Sequence, residues 1–319
     1  MANKQPVLEF TGERFTPECV REIWYEHMHR YAFASRLAEG RTLCDAACGE
    51  GYGTALLRQA GAEAVGVDID ADTVAHACQR YGSHYVCASV TALPFAGDSF
   101  EVLTSFETIE HLAQQQAMLA EFHRVLRADG LLIISSPDKA QYSDATGYQN
   151  PDHVCELYRQ EFVALLEQQF KHVRLFGQRL QFASLLAAED VNGAPGAASN
   201  GHCHHHYLTG SMQLITGIAQ PAMYWIALCS NDASRLHELD CTHDLFCDEP
   251  QSVYAHYNDQ VRKNIQAGHD LQARDSRIAE LEQRLQALQQ TSTAPDDVQR
   301  HAASGWWQRL TRLFQRRQR

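Results

Sequence analysis

Short apolar runs alternate with amphipathic stretches from residue 42 to about 230, and this rhythm predicts strands and helices in turn. Thr42–Asp45, Ala64–Asp68, His84–Ala88, Phe100–Ser105, Leu131–Ser135, His172–Phe176 and Met223–Ser230 read as strands. Helical spacing of apolar residues marks 52–60, Asp72–Tyr81, 110–127 and Arg159–Gln169. Ahead of them, Val20, Ile23, Trp24, His27, Tyr31, Ala34 and Leu37 share one helical face, so 18–38 forms a further helix. Strand–helix alternation predicts an α/β fold, doubly wound around a mostly parallel sheet with helices on both faces. In such folds ligands lie beyond the carboxyl ends of the strands.

The same pattern sets the expected divisions. Residues 1–40 form an N-terminal segment and a helix capping the site, and 41–231 form the main domain. Within it, 186–221 reads as an insertion rich in Ala, Gly, Asn and His. A wrapping segment or linker covers 232–258. Leu271, Ile278 and Leu285 then fall seven apart, with Leu281 and Leu288 at the complementary positions and Arg274 as a weak spot. This predicts a coiled coil over 259–290, self-associating through 264–290, with a helix packed on its own domain as the alternative. After a linker at 291–304, residues 305–319 place Trp306, Leu310 and Leu313 on one helical stripe flanked by Trp307 and Phe314.

Composition narrows the partners. The formal charge of −12 over 319 residues argues against a general nucleic-acid binder, since phosphate contacts need clustered Lys and Arg. Six arginines and no acid occur from Val298 to Arg319. That unopposed charge suits a peripheral contact with an anionic membrane surface, although the tail's apolar stripe equally suits docking on the domain. No apolar run is long enough to span a bilayer, and Met1–Glu13 lacks a signal-peptide core. The ten cysteines include no CxxC pair, which favours a reducing compartment. The expected location is cytoplasmic, peripheral to the inner membrane through the tail.

The chemistry concentrates at Leu43-Cys44-Asp45-Ala46-Ala47-Cys48-Gly49-Glu50-Gly51-Tyr52-Gly53, which reads as the first strand-to-helix turn. Glycines there let the backbone approach a ligand and supply positive φ. Asp68, at the end of the second strand and fifteen residues after Gly53, stands where an acid accepts hydrogen bonds from ribose hydroxyls. The layout alone fits a dinucleotide site as well.

Two details separate the alternatives. The Asp-x-Ala-Cys-Gly-x-Gly order resembles the first motif of class I S-adenosylmethionine-dependent methyltransferases rather than GxGxxG. Ala92-Leu93-Pro94-Phe95, Ser99-Phe100-Glu101-Val102, Glu110-His111-Leu112, Arg124-Val125-Leu126 and Gly130-Leu131-Leu132-Ile133 resemble that superfamily's later motifs in order. Residues 10 to about 180 thus resemble a type 11-like methyltransferase. Thr11-Gly12-Glu13-Arg14-Phe15, Glu26-His27-Met28-His29-Arg30-Tyr31, Ser105-Phe106-Glu107-Thr108-Ile109-Glu110-His111 and Asn150-Pro151-Asp152-His153-Val154-Cys155-Glu156-Leu157 are similar to a subgroup found among bacterial polysaccharide-biosynthesis enzymes. The resemblance implies a Rossmann-like sheet of seven strands and S-adenosyl-L-methionine as cofactor. It also implies a small-molecule or glycan acceptor, here an O-methylated sugar of a surface polysaccharide or lipid-linked glycan. A quinone or other small lipophilic acceptor, or a non-catalytic scaffold in glycan assembly, are the alternatives.

Carried onto this chain, the resemblance assigns Asp45 to the methionine amino end through the loop. Ala47, Gly49 and Gly51 make close backbone contact, Asp68 meets the ribose hydroxyls, Ile69 beside it also lines the cofactor, and Ser89 and Val90 meet the adenine. Phe106 lies where cofactor meets acceptor. Ala47 stands where the superfamily commonly has its first glycine, and alanine is tolerated there if φ is negative. Ser89 replaces an Asp that binds the adenine amino group in many relatives. Imidazole titrates near neutral pH, so His153 and His111 are the candidate bases, with a loop hydrogen bond as the plain reading of His111. Glu26, His27 and Arg30 cap the cofactor carboxylate or pair with one another. His202, His204, His205 and His206 cannot all face one ion, so no metal site is assigned.

Overall fold

The computed structural model describes residues 15–19, 22–181, 183, 206–208, 210–217, 220–239 and 243–292. In chain order the elements are α1 (Glu22–Ala38), β1 (Thr42–Ala46), α2 (Tyr52–Gln59), β2 (Glu63–Asp68), α3 (Ala71–Tyr81), β3 (Tyr85–Cys87) and β4 (Phe100–Ser105). They continue as α4 (Gln115–Val125), β5 (Leu126–Pro137), α5 (Arg159–Leu166), β6 (His172–Gln178), β7 (His206–Leu208), β8 (Leu214–Thr216), β9 (Tyr224–Ser230) and α6 (Ser252–Ser292).

Seven strands form one sheet in the order β3-β2-β1-β4-β5-β9-β6, and β7 and β8 pair as a separate hairpin. β1 to β5 run parallel, whereas β9 is antiparallel to both neighbours. The chain winds outward from β1 through β2 to β3 and then returns to place β4 on the other side of β1. That reversal opens a crevice beyond the carboxyl ends of β1 and β4. The sheet core is nearly continuous in apolar residues (Leu43, Cys44, Val102, Leu103 and Leu131–Ile134 are inaccessible), as expected for strands covered on both faces.

Two expected boundaries change. The stretch 110–127 is a short 3₁₀ turn at Ile109–His111 followed by α4 from Gln115. The Glu110 carbonyl accepts from the backbone N–H groups of Val154 and Cys155, so a distant loop takes the acceptor that a continuous helix would use. β5 starts at Leu126 rather than Leu131, because Leu126 pairs with Phe100.

The segment after β9 folds back on α1. Arg174 donates to the Leu236 carbonyl at 2.8 Å, Asp244 pairs with His29 and Arg36, and Phe246 packs against Trp24, Tyr25 and His29. Tyr25 donates to Asp248, which also accepts from Ser252 N where α6 begins. Considered by itself, α6 is a 41-residue helix with Val261, Ile265, Leu271, Ile278, Leu281, Leu285 and Leu288 exposed. Among the described residues no helix is long and apolar enough to cross a membrane. The basic tail at 305–319, the linker after Ser292 and Thr11–Arg14 lie outside the described residues, as do His202, His204 and His205.

Candidate active site

The glycine turn between β1 and α2 is built around Asp45. This carboxylate is buried and accepts from Thr54 Oγ1 at 2.7 Å, Thr104 Oγ1 at 2.8 Å and Tyr31 Oη at 3.3 Å. Burial pushes its carboxyl up to about 6, and the three donors limit the rise. Asp45 therefore ties α1, α2 and β4 to the strand that carries the loop, which is an indirect route to a ligand.

Behind the loop, Glu50 is inaccessible and accepts from His76 Nε2 at 2.7 Å, Arg80 at 2.8 Å and Tyr81 Oη at 2.8 Å. In front, Asp68 Oδ2 accepts from Gly49 N at 2.9 Å and Oδ1 from Asp70 N at 3.0 Å. One carboxylate from each side thus pins the turn.

The glycines have a second reason to be there. Gly51 has φ +94°, and a Cβ would meet Ala77 and Tyr85 at 2.8 Å. At Gly53 a Cβ would fall 1.9 Å from the Tyr31 ring, so that ring occupies the space a side chain would need. Protein packing, as well as ligand approach, requires both. Ala47 corrects the sequence reading: its φ is +60°, not negative, so an alanine sits in the left-handed region that favours glycine.

Beyond β2, Ile69 is 73% exposed and offers an apolar face. Ser89, past β3, shares its hydroxyl with Thr91 Oγ1 at 2.8 Å. The Val90 side chain is packed in the core, so only its backbone can face a ligand. Of the residues named from sequence for the cofactor, Asp45 and Asp68 lie on β1 and β2, Ala47, Gly49, Gly51, Ile69, Ser89 and Val90 follow the ends of β1, β2 and β3, and Phe106 follows β4.

Past β4 the character changes. Phe106 is buried with its ring edge-on to Tyr31 at 5.0 Å. Glu107 has φ +50°, its N–H donates to Ser135 Oγ, and that hydroxyl donates to Glu107 Oε1 at 2.7 Å. Arg30, 1% exposed, donates from Nε to Gln178 at 2.8 Å, lies 4.5 Å from the Tyr224 ring centroid and 3.6 Å from Glu107. Its two terminal nitrogens have no hydrogen-bond partner. Burial pushes Glu26 up to about 7, against the pull of Arg30. His27 does not join that group: it bonds Tyr52 Oη at 3.0 Å and stacks on Phe15, and burial lowers its pKa well below the usual range.

The two candidate bases meet. The His111 and His153 rings stand edge to face with centroids 4.9 Å apart, although 42 residues separate them. His111 Nδ1 faces the Asp152 carbonyl at 2.9 Å, as its plain reading expects, while His153 Nδ1 lies 2.6 Å from Glu156 Oε1. Tyr142 stacks on His153 at 5.3 Å. Sequence reasoning missed Tyr31, Glu50 and Glu156 as parts of this site. Only Glu156 carried a signal, its spacing of three from His153.

Residues 44–134 match a family model described as a methyltransferase domain. A curated relative in Mycolicibacterium smegmatis, named a "probable S-adenosylmethionine-dependent methyltransferase", is 35% identical over 50% of this chain and 64% of its own length. A "ubiquinone biosynthesis O-methyltransferase" from Parvibaculum lavamentivorans is 28% identical over 47% of this chain and 60% of its own. Among solved structures, a SAM-dependent methyltransferase from Archaeoglobus fulgidus is 18% identical, covers 66% of this chain and 95% of that one, with a TM-score of 0.45. This chain spans 60–64% of the length of the two curated relatives. Residues 44–134, from β1 to β5, are thus the part of this chain that is similar to a methyltransferase domain.

Proposed function

We propose that the chain is an S-adenosylmethionine-dependent methyltransferase that O-methylates a sugar of a surface polysaccharide or lipid-linked glycan. The observation that carries the activity is the convergence, past the ends of β1, β2 and β4, of the pinned glycine turn, Asp68 and the His111–His153 pair. When bound, the cofactor supplies a sulfonium-activated methyl group for in-line displacement, so the protein's work is positioning and proton removal. Arg30 fits the cofactor's carboxylate: its buried guanidinium has an ion-pair partner in Glu107 at 3.6 Å, yet neither terminal nitrogen makes a hydrogen bond, which an arriving carboxylate can supply. The Gly49 and Gly51 backbone and Asp68 take the amino and ribose ends, and Ile69 and Ser89 take the adenine.

On the acceptor side, Glu156 holds Nδ1 of His153, which leaves Nε2 to take the acceptor's hydroxyl proton as the new C–O bond forms. Tyr142, stacked on this histidine, and Tyr148, edge-on to Tyr142, offer aromatic faces on which a sugar ring can lie. The sugar assignment rests on the resemblance of the Asn150–Leu157 and Glu26–Tyr31 stretches. A second reading, a quinone or similar lipophilic acceptor, is supported by the name of the Parvibaculum relative. Mass spectrometry of surface glycans and lipid-linked intermediates, with and without the protein, separates the two. Loss of a methyl from a sugar is expected. Unchanged glycans beside an undermethylated quinone pool would transfer the assignment to the second reading.

The extensions serve placement in this proposal. The exposed stripe on α6 pairs with a second copy, and the arginines of 305–319 hold the enzyme at an anionic membrane surface. Light scattering of the intact chain and its sedimentation with anionic liposomes test these two roles. A monomer would remove the first, and protein left in the supernatant at low salt the second.

A further inference from the structure

Among the described residues, the Glu110 carboxylate is the least satisfied group near the site. It is 1% exposed, and neither oxygen has a hydrogen-bond partner. A carboxylate in that position is protonated or meets a cation, because an ionised group left bare inside a protein is strongly disfavoured. Burial first, and then the charge of Glu107, pushes its carboxyl well above the usual range.

Two imidazoles stand beside it. One ligand atom from each of Glu110, His111 and His153 lies within 4.8 Å of the other two. Both rings are oriented through Nδ1: His153 faces Glu156 Oε1 at 2.6 Å, and His111 faces the Asp152 carbonyl at 2.9 Å. Glu156 is itself held by Ser143 Oγ at 2.5 Å. With Nδ1–H donated outward, Nε2 carries the lone pair, and His111 Nε2 stands 3.9 Å from Glu110 Oε1. An outer carboxylate or carbonyl that fixes the tautomer is the usual support of a metal-ligating histidine. The loop carrying His153 is also fastened to Glu110, through Val154 N and Cys155 N on the Glu110 carbonyl at 2.8 and 2.9 Å.

We propose that Glu110, His111 and His153 bind a divalent transition-metal cation, with zinc best suited to two imidazoles and one carboxylate. Ligation at about 2.0–2.1 Å needs the three donor atoms roughly 3.3 Å apart, so from within 4.8 Å the side chains must close on the ion. The fourth position of the tetrahedron is open to an acceptor oxygen. That clause alone rests on the methyltransferase reading; the cation site does not. With the ion in place, His153 would be a ligand rather than the base: the cation would lower the pKa of the acceptor hydroxyl, whose proton passes to solvent, and the resulting alkoxide would take the methyl group as the S–C bond breaks. This revises the sequence expectation, which weighed only the histidine run at 202–206 and assigned no metal.

The test uses the full chain with His202, His204, His205 and His206 changed to Ala, so that the run contributes no ligands. The protein is stripped with a chelator and titrated with zinc chloride by calorimetry. S-adenosylhomocysteine is titrated in parallel. One zinc per chain is expected, weakened at least a hundredfold in Glu110→Gln and in His153→Ala, with S-adenosylhomocysteine affinity changed less than threefold. X-ray absorption of the zinc-loaded parent should show imidazole scattering. No zinc binding by the parent, undiminished binding in Glu110→Gln, or a zinc–sulfur shell would each overturn the site. Binding of S-adenosylhomocysteine without zinc removes the cation and leaves the methyltransferase reading. Zinc without S-adenosylhomocysteine does the reverse.

Discussion

The two sides of the crevice are built differently. On the side of β1, β2 and β3, the acids that hold the glycine turn have donors: Asp45 has three, Glu50 three, and Asp68 the backbone of Gly49 and Asp70. Past β4, neither oxygen of the Glu110 carboxylate has a hydrogen bond, and Arg30 of α1 meets Glu107 at 3.6 Å without a hydrogen bond to either terminal nitrogen. The first side has its hydrogen bonds made within the protein, so its geometry is preorganised. The second keeps buried polar groups whose hydrogen-bonding capacity is unused.

The hardest blow to this contrast would come from the acceptor side. His153→Ala should lower turnover about 10²–10⁴-fold while cofactor affinity holds, as for loss of a base or polarising group. Stopped assays alongside calorimetry read both quantities, and unchanged turnover would move the role to His111. On the other side, Asp68→Ala should weaken S-adenosylmethionine and S-adenosylhomocysteine by about 3 kcal/mol, because charge-assisted bonds to ligand and loop vanish together. Equal affinities in calorimetry would take Asp68 out of the site.

A smaller effect concerns pH. Burial raises Glu26 from its ordinary 4.5 to about 7, so the stability linked to its protonated form is complete below 4.5 and lost as pH rises through 7. Glu26→Gln removes that loss. Between pH 5 and 8 the wild type should lose about 2 kcal/mol more than the variant, after allowing for residual exposure. Urea denaturation at both pH values reads the difference, and parallel losses would refute it. The smallest effect tests the strained turn. Ala47→Gly should stabilise by about 0.5–1 kcal/mol, as relief of a positive φ outweighs the added chain entropy. A lower melting temperature would show that the alanine methyl is worth more in packing than its backbone costs.

The fold was legible because its seven strands are apolar runs of strand length, and a doubly wound, mostly parallel sheet followed from their alternation with helices; the strand order came from the structure. The pinned glycine turn was legible for the same reason: Asp45, Gly49, Gly51 and Asp68 fall at strand ends and close in sequence. What escaped depends on distance. The Arg30–Glu107 contact joins positions 77 apart, and nothing in either neighbourhood announces it. The helix expected at 110–127 starts only at Gln115, because residues 110–114 keep helical spacing while the Glu110 carbonyl has its backbone partners at Val154 and Cys155. Alanine has no side chain to signal a positive φ, so Ala47 could be flagged as a departure but its conformation could not be read.

Tyr31 has a consequence for anyone who would cut this chain. Its ring fills the notch at Gly53, its hydroxyl reaches Asp45, and its edge meets Phe106, so one residue of the first helix touches both sides of the crevice. A fragment beginning at residue 41 would carry every residue matched by the methyltransferase family model and still have a hole between its two sides. Sequence similarity here marks a conserved-looking block whose edge runs through the working part, and the portable unit begins with the helix that the match leaves out.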